Sequence, residues 1–220
     1  MAIKEFPPVD FADDNGLLAI GGDLEVESLL LAYRSGIFPW PIFGVKELTW
    51  FSPPERCVLF LDNFIVSRSL RRELANAKYT YSFNEHFEQV ITACAEAKNR
   101  AAGPETWIRP DMRSAYLDLY RAGYAASSET LLAGELVGGL YGVTIGRMFA
   151  GESMFYRSPN ASKLALCHLV DRLRECGVEW IDCQQQTALL ASFGAELIER
   201  SQYMELLAEA IGGEQITFQK

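Results

Sequence analysis

Between residues 124 and 155 the hydrophobic pattern changes period, and that change limits the fold more than any other feature of the chain. Upstream, apolar residues recur at helical spacing. Phe87, Val90, Ile91 and Cys94 share one face behind Asn84 as a cap. Met112, Ala115, Tyr116, Leu119 and Tyr120 share another, which Pro110 opens and Gly123 ends. Residues 124–133, 135–145 and 147–155 then read as three strands, turned at Ala133-Gly134 and Ile145-Gly146. A helix opening at Pro159-Asn160 turns Leu166, Leu169, Val170 and Leu173 inward and stops at Gly177, and VEWIDC (178–183) follows as a short buried strand. Helical stretches near 187–193 and 202–211 flank a last strand near 195–201. Helices, an antiparallel meander, then a helix crossing to a further strand bury their apolar faces together as an α/β (α+β layered) body.

The first sixty residues differ, being rich in Pro, Gly and aromatics (FPPVD, NGLLAIGGDL, GIFPWPIFG, WFSPPERCVLF). Asp23 is placed to cap a short helix through Tyr33, with Gly36 as its stop, and the remainder is turn-laden. This predicts a small N-terminal lobe over 1–60 against a body over 61–220, where a helix is expected from Ser67 to Ala77. With 220 residues, 49% of them apolar, a sizeable core is available. No apolar run reaches the roughly 18–20 residues of a membrane span, and MAIKEFPPVDFADD lacks the apolar core of a signal peptide, so a cytoplasmic protein is expected. Five scattered cysteines without CxxC spacing read as reduced thiols, and two histidines give little basis for a metal centre. The formal charge of −9 disfavours binding long duplexes by bulk electrostatics, yet permits a local basic patch and suits a cationic peptide.

Three stretches carry chemistry by residue type. In GESMF (151–155) alternation aims Glu152 and Met154 to one side, setting a carboxylate among Met154, Phe149 and Leu140. In IDCQ (181–184) a buried strand ends with Asp182 and Gln184 on one face and Cys183 opposite. Tyr33, Phe38, Trp40, Trp50 and Phe51, with Trp107 further on, form an aromatic set of the kind that stacks on nucleobases. Each also has a plain structural reading. Glu152 can bond nearby backbone, Asp182 can cap the segment after its strand, Trp40 can be a core ring, and Cys183 can be a small buried thiol. Arg68, Arg71 and Arg72 read first as a solvated helix face.

The wording and order of several blocks add a second line of inference. NGLLAIGGDL (15–24), LLLAYRSGIFPW (29–40), WFSPPERCVL (50–59), ETWI (105–108), ELVGGLYGV (135–143), GESMFYRSPNASK (151–163) and IDCQ…ASFGA (181–195) cover nearly the whole chain. In these the chain resembles the bacterial leucyl/phenylalanyl-tRNA–protein transferases. The resemblance implies a GNAT-like acyltransferase C-terminal domain with a small N-terminal α+β lobe, no cofactor and no metal. Independently, RSPNASK (157–163) has no glycine for the amide nest that acetyl-coenzyme A requires.

The resemblance further implies transfer of Leu or Phe, with Met as a further candidate, from the acceptor end of aminoacyl-tRNA to the N-terminal α-amine of proteins beginning with Lys or Arg. That transfer marks the acceptor for N-degron degradation. By position it assigns Asp182, Gln184 and Glu152 to catalysis. Asp182 would polarise the Gln184 amide, whose oxygen accepts the attacking amine's N–H, while Glu152 holds the α-ammonium of the ester. The aminoacyl pocket would be Leu140, Phe149, Met154, Leu166, Leu169 and Leu173. Contacts to tRNA would come from Tyr33, Trp40, Trp107 and Tyr116 around the terminal adenosine, and from Arg68 and Arg72 on the acceptor stem, with Arg71 beside them as a further tRNA contact. A monomer is implied. The chain departs from the family's pattern at Ala75, where a further basic residue is usual, at Glu73 within the basic cluster, and at Leu189, where His is frequent. Two other readings remain at this point: a coenzyme A-dependent N-acyltransferase, and a non-catalytic module binding a tRNA end or a peptide.

Overall fold

The computed structural model of the chain describes residues 2–97 and 107–218, so Glu105 and Thr106 of ETWI lie outside the described residues. In chain order the elements begin with β1 (Leu17–Ile20), α1 (Val26–Arg34), β2 (Phe38–Pro39), β3 (Thr49–Phe51) and β4 (Glu55–Phe60). They continue with α2 (Arg68–Leu74), β5 (Tyr79–Phe83), α3 (Phe87–Glu96) and α4 (Pro110–Arg121). The meander is β6 (Ala125–Leu132), β7 (Glu135–Ile145) and β8 (Met148–Tyr156). Then come α5 (Ala161–Glu175), β9 (Trp180–Gln184), α6 (Ala188–Ser192), β10 (Glu196–Glu199) and α7 (Arg200–Ile211). No helix among the described residues is long and apolar enough to cross a membrane.

The strands make two sheets, a small one in the order β1-β3-β2 and a large one in the order β10-β4-β9-β8-β7-β6-β5. Every pairing in the large sheet is antiparallel except β8 with β9, the pair that the α5 crossover joins. β4 therefore lies inside the large sheet, so residues 55–60, expected in the N-terminal lobe, pair with the body instead. Helices cover both faces. One core gathers α1, α3, α4 and the small sheet, with Leu29, Trp50, Val90, Met112 and Tyr141 in a single cluster. The other lies under α5, with Leu59, Phe149, Leu169, Val170 and Leu173.

Local chemistry explains most boundaries. Pro110 stands in the first turn of α4, where its missing N–H costs nothing. Ser67 caps α2 by accepting the Leu70 N–H at 3.2 Å, but α2 stops at Leu74, three residues short of the expected Ala77. Asp23 does not cap α1. Its Oδ1 accepts from Glu25 N at 3.0 Å and Ser28 Oγ at 2.6 Å, tightening the turn before the helix. Asn84 likewise stands outside α3, in a left-handed conformation at φ 59°, with Oδ1 accepting Ser127 N at 2.9 Å. The close fit of α5 on β7 depends on Gly138, where a Cβ would sit 2.5 Å from the Ala161 Cβ and 2.8 Å from Ser162 N.

Candidate active site

β8 and β9 pair at Phe149↔Ile181 and Ala150↔Asp182, and no further pairing occurs, although both strands run on. Each strand also carries an irregularity at this point. On β8, Tyr141 pairs with Ser153 and Gly142 with Gly151, leaving Glu152 as an extra, unpaired residue. On β9, Cys57 pairs with Gln184 and Val58 with Asp182, leaving Cys183 as the extra one. A bulge inserts one residue and re-aims the side chains beyond it. Here it turns Glu152 toward the α1 and α4 face while Met154 packs on the α5 face. The expected grouping of Glu152 with Met154, Phe149 and Leu140 is therefore corrected: strict alternation fails by one residue.

Glu152 sits where the two strands part. Its Oε1 accepts from Tyr33 Oη at 2.6 Å and from Gln184 Nε2 at 2.8 Å, and its Oε2 accepts from Tyr116 Oη at 2.8 Å. A carboxylate accepts only, so Gln184 must present its NH2 group, and no donor among the described residues reaches its Oε1. Burial pushes the Glu152 carboxyl up to about 7, with the tyrosine hydroxyls and the Gln184 amide pulling the other way. Burial, then the charge of Glu152, raises both Tyr33 and Tyr116 well above the ordinary phenol, so they remain hydrogen-bond donors at neutral pH.

Asp182 is fully buried and saturated. Its Oδ1 accepts from Arg56 Nε at 2.8 Å and Gln184 N at 2.9 Å, and its Oδ2 from Arg56 Nη2 at 2.7 Å and Tyr203 Oη at 3.0 Å. Arg56 is 2% exposed, donates to the Gly36 carbonyl at 3.2 Å, and lies between the rings of Phe38 and Tyr203, 4.5 and 4.4 Å from their centroids. Burial opposes its charge, but Asp182 outweighs that and holds the guanidinium above its ordinary range. The expected relay from Asp182 to the Gln184 side chain is corrected in form. Asp182 grips the Gln184 backbone N–H, which fixes Gln184 in a left-handed conformation at φ 61° and aims its side chain at Glu152. A non-glycine residue keeps such a conformation only where its surroundings enforce it.

The other sequence-predicted residues divide. Tyr33 and Tyr116 are 1% and 0% exposed, as closed off as Phe38 and Trp50, so their role as stacking surfaces is corrected to one through their hydroxyls. Trp40 and Trp107 are half-buried and stack on each other with centroids 5.4 Å apart. Leu140, Phe149, Leu166, Leu169 and Leu173 are packed in the α5-side core, and Met154 is half-buried against it. Arg68, Arg71 and Arg72 are exposed on α2. Glu73 does not compete for them, because it pairs with Lys78 at 3.0 Å. Sequence reasoning missed Arg56 and Tyr203. A lone arginine in the otherwise apolar run RCVLF was the available signal, since a charge in a central strand needs a buried partner.

Comparison with known proteins gives consistent findings. The model of a family described as leucyl/phenylalanyl-tRNA protein transferase matches residues 58–208, and that of its N-terminal domain matches residues 22–54. The leucyl/phenylalanyl-tRNA–protein transferase of Syntrophobacter fumaroxidans is 52% identical over 206 residues, covering 94% of this chain and 87% of that protein. The one from Syntrophotalea carbinolica is 49% identical over 206 residues, covering 93% and 88%. Among solved structures, the C-terminal domain of a putative lysylphosphatidylglycerol synthetase from Agrobacterium fabrum overlaps with a TM-score of 0.46 at 14% identity, covering 83% of this chain and 68% of that one. A GCN5-related N-acetyltransferase from Kribbella flavida overlaps at 0.41 and 13% identity, covering 76% and 58%.

Proposed function

The chain belongs to the leucyl/phenylalanyl-tRNA–protein transferase family, and from that premise we propose which of its side chains carry the transfer. The reaction moves Leu or Phe from aminoacyl-tRNA to the N-terminus of a protein. One observation carries the assignment of roles: an acceptor-only carboxylate, Glu152, is held by Tyr33, Tyr116 and Gln184 where β8 and β9 diverge.

The ionised carboxylate takes the α-ammonium of the aminoacyl ester. The amino-acid side chain passes between the diverging strands to Met154, with Leu140 and Leu166 beside it and Phe149, Leu169 and Leu173 as the floor. A leucyl or phenylalanyl group is unbranched at Cβ and bends into such a slot, whereas a β-branched one is stiff near the backbone. The acceptor's neutral amine then attacks the ester carbonyl. The C–N bond forms, the bond to the ribose oxygen breaks, and the proton shed by nitrogen ends on that oxygen. Gln184 Oε1 orients the attacking amine by accepting one of its N–H groups. Because an ester already reacts with amines, this positioning supplies more of the rate than proton transfer does. Asp182 is a positioning residue, paired with Arg56 at 2.7 Å. The Trp40–Trp107 pair offers the ring surface for the terminal adenosine, and Arg68, Arg71 and Arg72 the charge for the stem.

The acceptors are proteins beginning with Lys or Arg, whose cationic ends suit a chain of net charge −9, and the protein works as a cytoplasmic monomer feeding N-degron degradation. Radiolabelled leucine presented as leucyl-tRNA should pass to a peptide beginning with Arg and not to one beginning with Glu. Label on the Glu peptide would overturn the acceptor rule, and label on neither would overturn the transferase reading.

A further inference from the structure

A second polar site lies beside α5, the helix that joins β8 to β9. Because β8 and β9 are parallel, the turn that leads into α5 and the segment that leads into α6 leave the sheet on one side. Where the start of α5, the start of α2 and the end of α6 meet is a depression of about 130 Å3 lined by Ile65, Ser67, Ser69, Leu70, Asn160, Lys163, Ser192 and Phe193. Its polar lining is hydroxyls, one amide and one ammonium, with no acidic side chain. Lys163 is half-buried and makes no ion pair among the described residues. On the rim, α2 turns Arg68, Arg71 and Arg72 to solvent.

A half-enclosed cation without an ion pair, in a depression with no acidic side chain, is completed by an anion. We propose that this depression is a phosphate subsite, and that its ligand is a phosphodiester of the acceptor strand a few nucleotides from the ester in the Glu152 cleft. The inference rests on the transferase reading above. Lys163 supplies the charge, and of the Ser67–Ser69 hydroxyl pair the one that is not donating to the other bonds a phosphoryl oxygen, the Ser192 hydroxyl being given to the Leu189 carbonyl. The strand leaves the cleft across the ends of β8 and β9, crosses Lys163, and continues over the α2 arginines. On a chain of net charge −9, this margin collects cations along one path. Contacts of this kind set the position of the nucleic acid and not its sequence.

The test compares two donors of one amino acid, leucyl-tRNA and 3′-O-leucyl-adenosine, which lacks every phosphate. Lys163→Ala should raise KM for leucyl-tRNA roughly fivefold at moderate salt, with kcat kept. It should also reduce the salt slope of log KM by about 0.7–0.9, the loss of one phosphate contact. Its KM for leucyl-adenosine should equal that of the parent, and Lys163→Arg should restore leucyl-tRNA. An unchanged KM for leucyl-tRNA would overturn the subsite, and so would an equal loss with both donors, which would trace the effect to the cleft. A parent enzyme inactive with both donors would overturn the transferase reading and the subsite with it.

Discussion

Glu152, Tyr33 and Tyr116 make three mutual contacts, yet the two hydroxyls own only two protons while the carboxylate is ionised. A third proton on Glu152 completes the ring, in keeping with a carboxyl pushed up to about 7 by burial. An arriving ammonium gives the anion a partner in another way, so substrate binding and protonation compete. The expected consequence is a kcat/KM for aminoacyl-tRNA that rises through pH 7 as Glu152 ionises. Glu152→Gln should lower kcat/KM by about 10–100-fold, the worth of a hydrogen bond to a charged group, and should flatten that rise. Stability should move oppositely. A carboxyl raised from 4.5 to about 7 in the fold binds its proton more tightly there than in the unfolded chain. Its contribution is full below about pH 4.5 and lost as pH rises to about 7. Denaturant unfolding at pH 5 and 8 checks this, and Glu152→Gln should remove that part of the slope. A parallel experiment on Asp182 is less informative: Asp182→Ala strands a buried arginine at a cost of about 3–5 kcal/mol, so lost turnover would report lost structure. Glu152, Asp182 and Gln184 were legible as chemistry-bearing residues in the sequence, but their arrangement was not. A single inserted residue reverses which face a strand shows, and alternation carries no sign of where it falls.

Among the elements, the legible ones were those whose evidence is local. The faces of α3 and α4, the three-strand meander and α5 with its inward leucines follow from periods and turn residues. The small sheet and β5 did not. β2 is two residues long and β3 three, and both are strands only because of their pairing partners. β5 was unread because its residues Tyr79–Phe83 follow a helix at short distance and pair with β6 at the sheet edge. The seating of α5 on β7 gives the prediction at this scale. Gly138→Ala would press a methyl group into the backbone of the first turn of α5. It should destabilise by about 1–3 kcal/mol, as overpacking does, and a melting temperature equal to the parent's would show that α5 rides loosely on the sheet.

At the scale of the whole molecule, the N-terminal segment is built into the body. Leu29, Phe38 and Trp50 share one apolar cluster with Val90, Met112 and Leu207, so helices from both ends of the chain meet there. Arg56 joins the same parts by polar contacts, bonding the Gly36 carbonyl, Asp182 of β9 and Tyr203 of α7. Calorimetry should therefore show one cooperative transition, with calorimetric and van't Hoff enthalpies equal. Two resolved transitions would mean that the lobe melts alone. The position of β4 also has a consequence during synthesis. Its neighbours are β9 and β10, and roughly 120 residues separate it from the first of them, a delay of about 6–24 s at ribosomal rates of 5–20 residues per second. For that interval the apolar run of Cys57 to Phe60 has neither partner strand, and the nascent chain carries an open edge that invites aggregation. A ribosome that stalls before Trp180 would release a chain with Glu152 and its tyrosines in hand, but with Arg56 still waiting for its carboxylate.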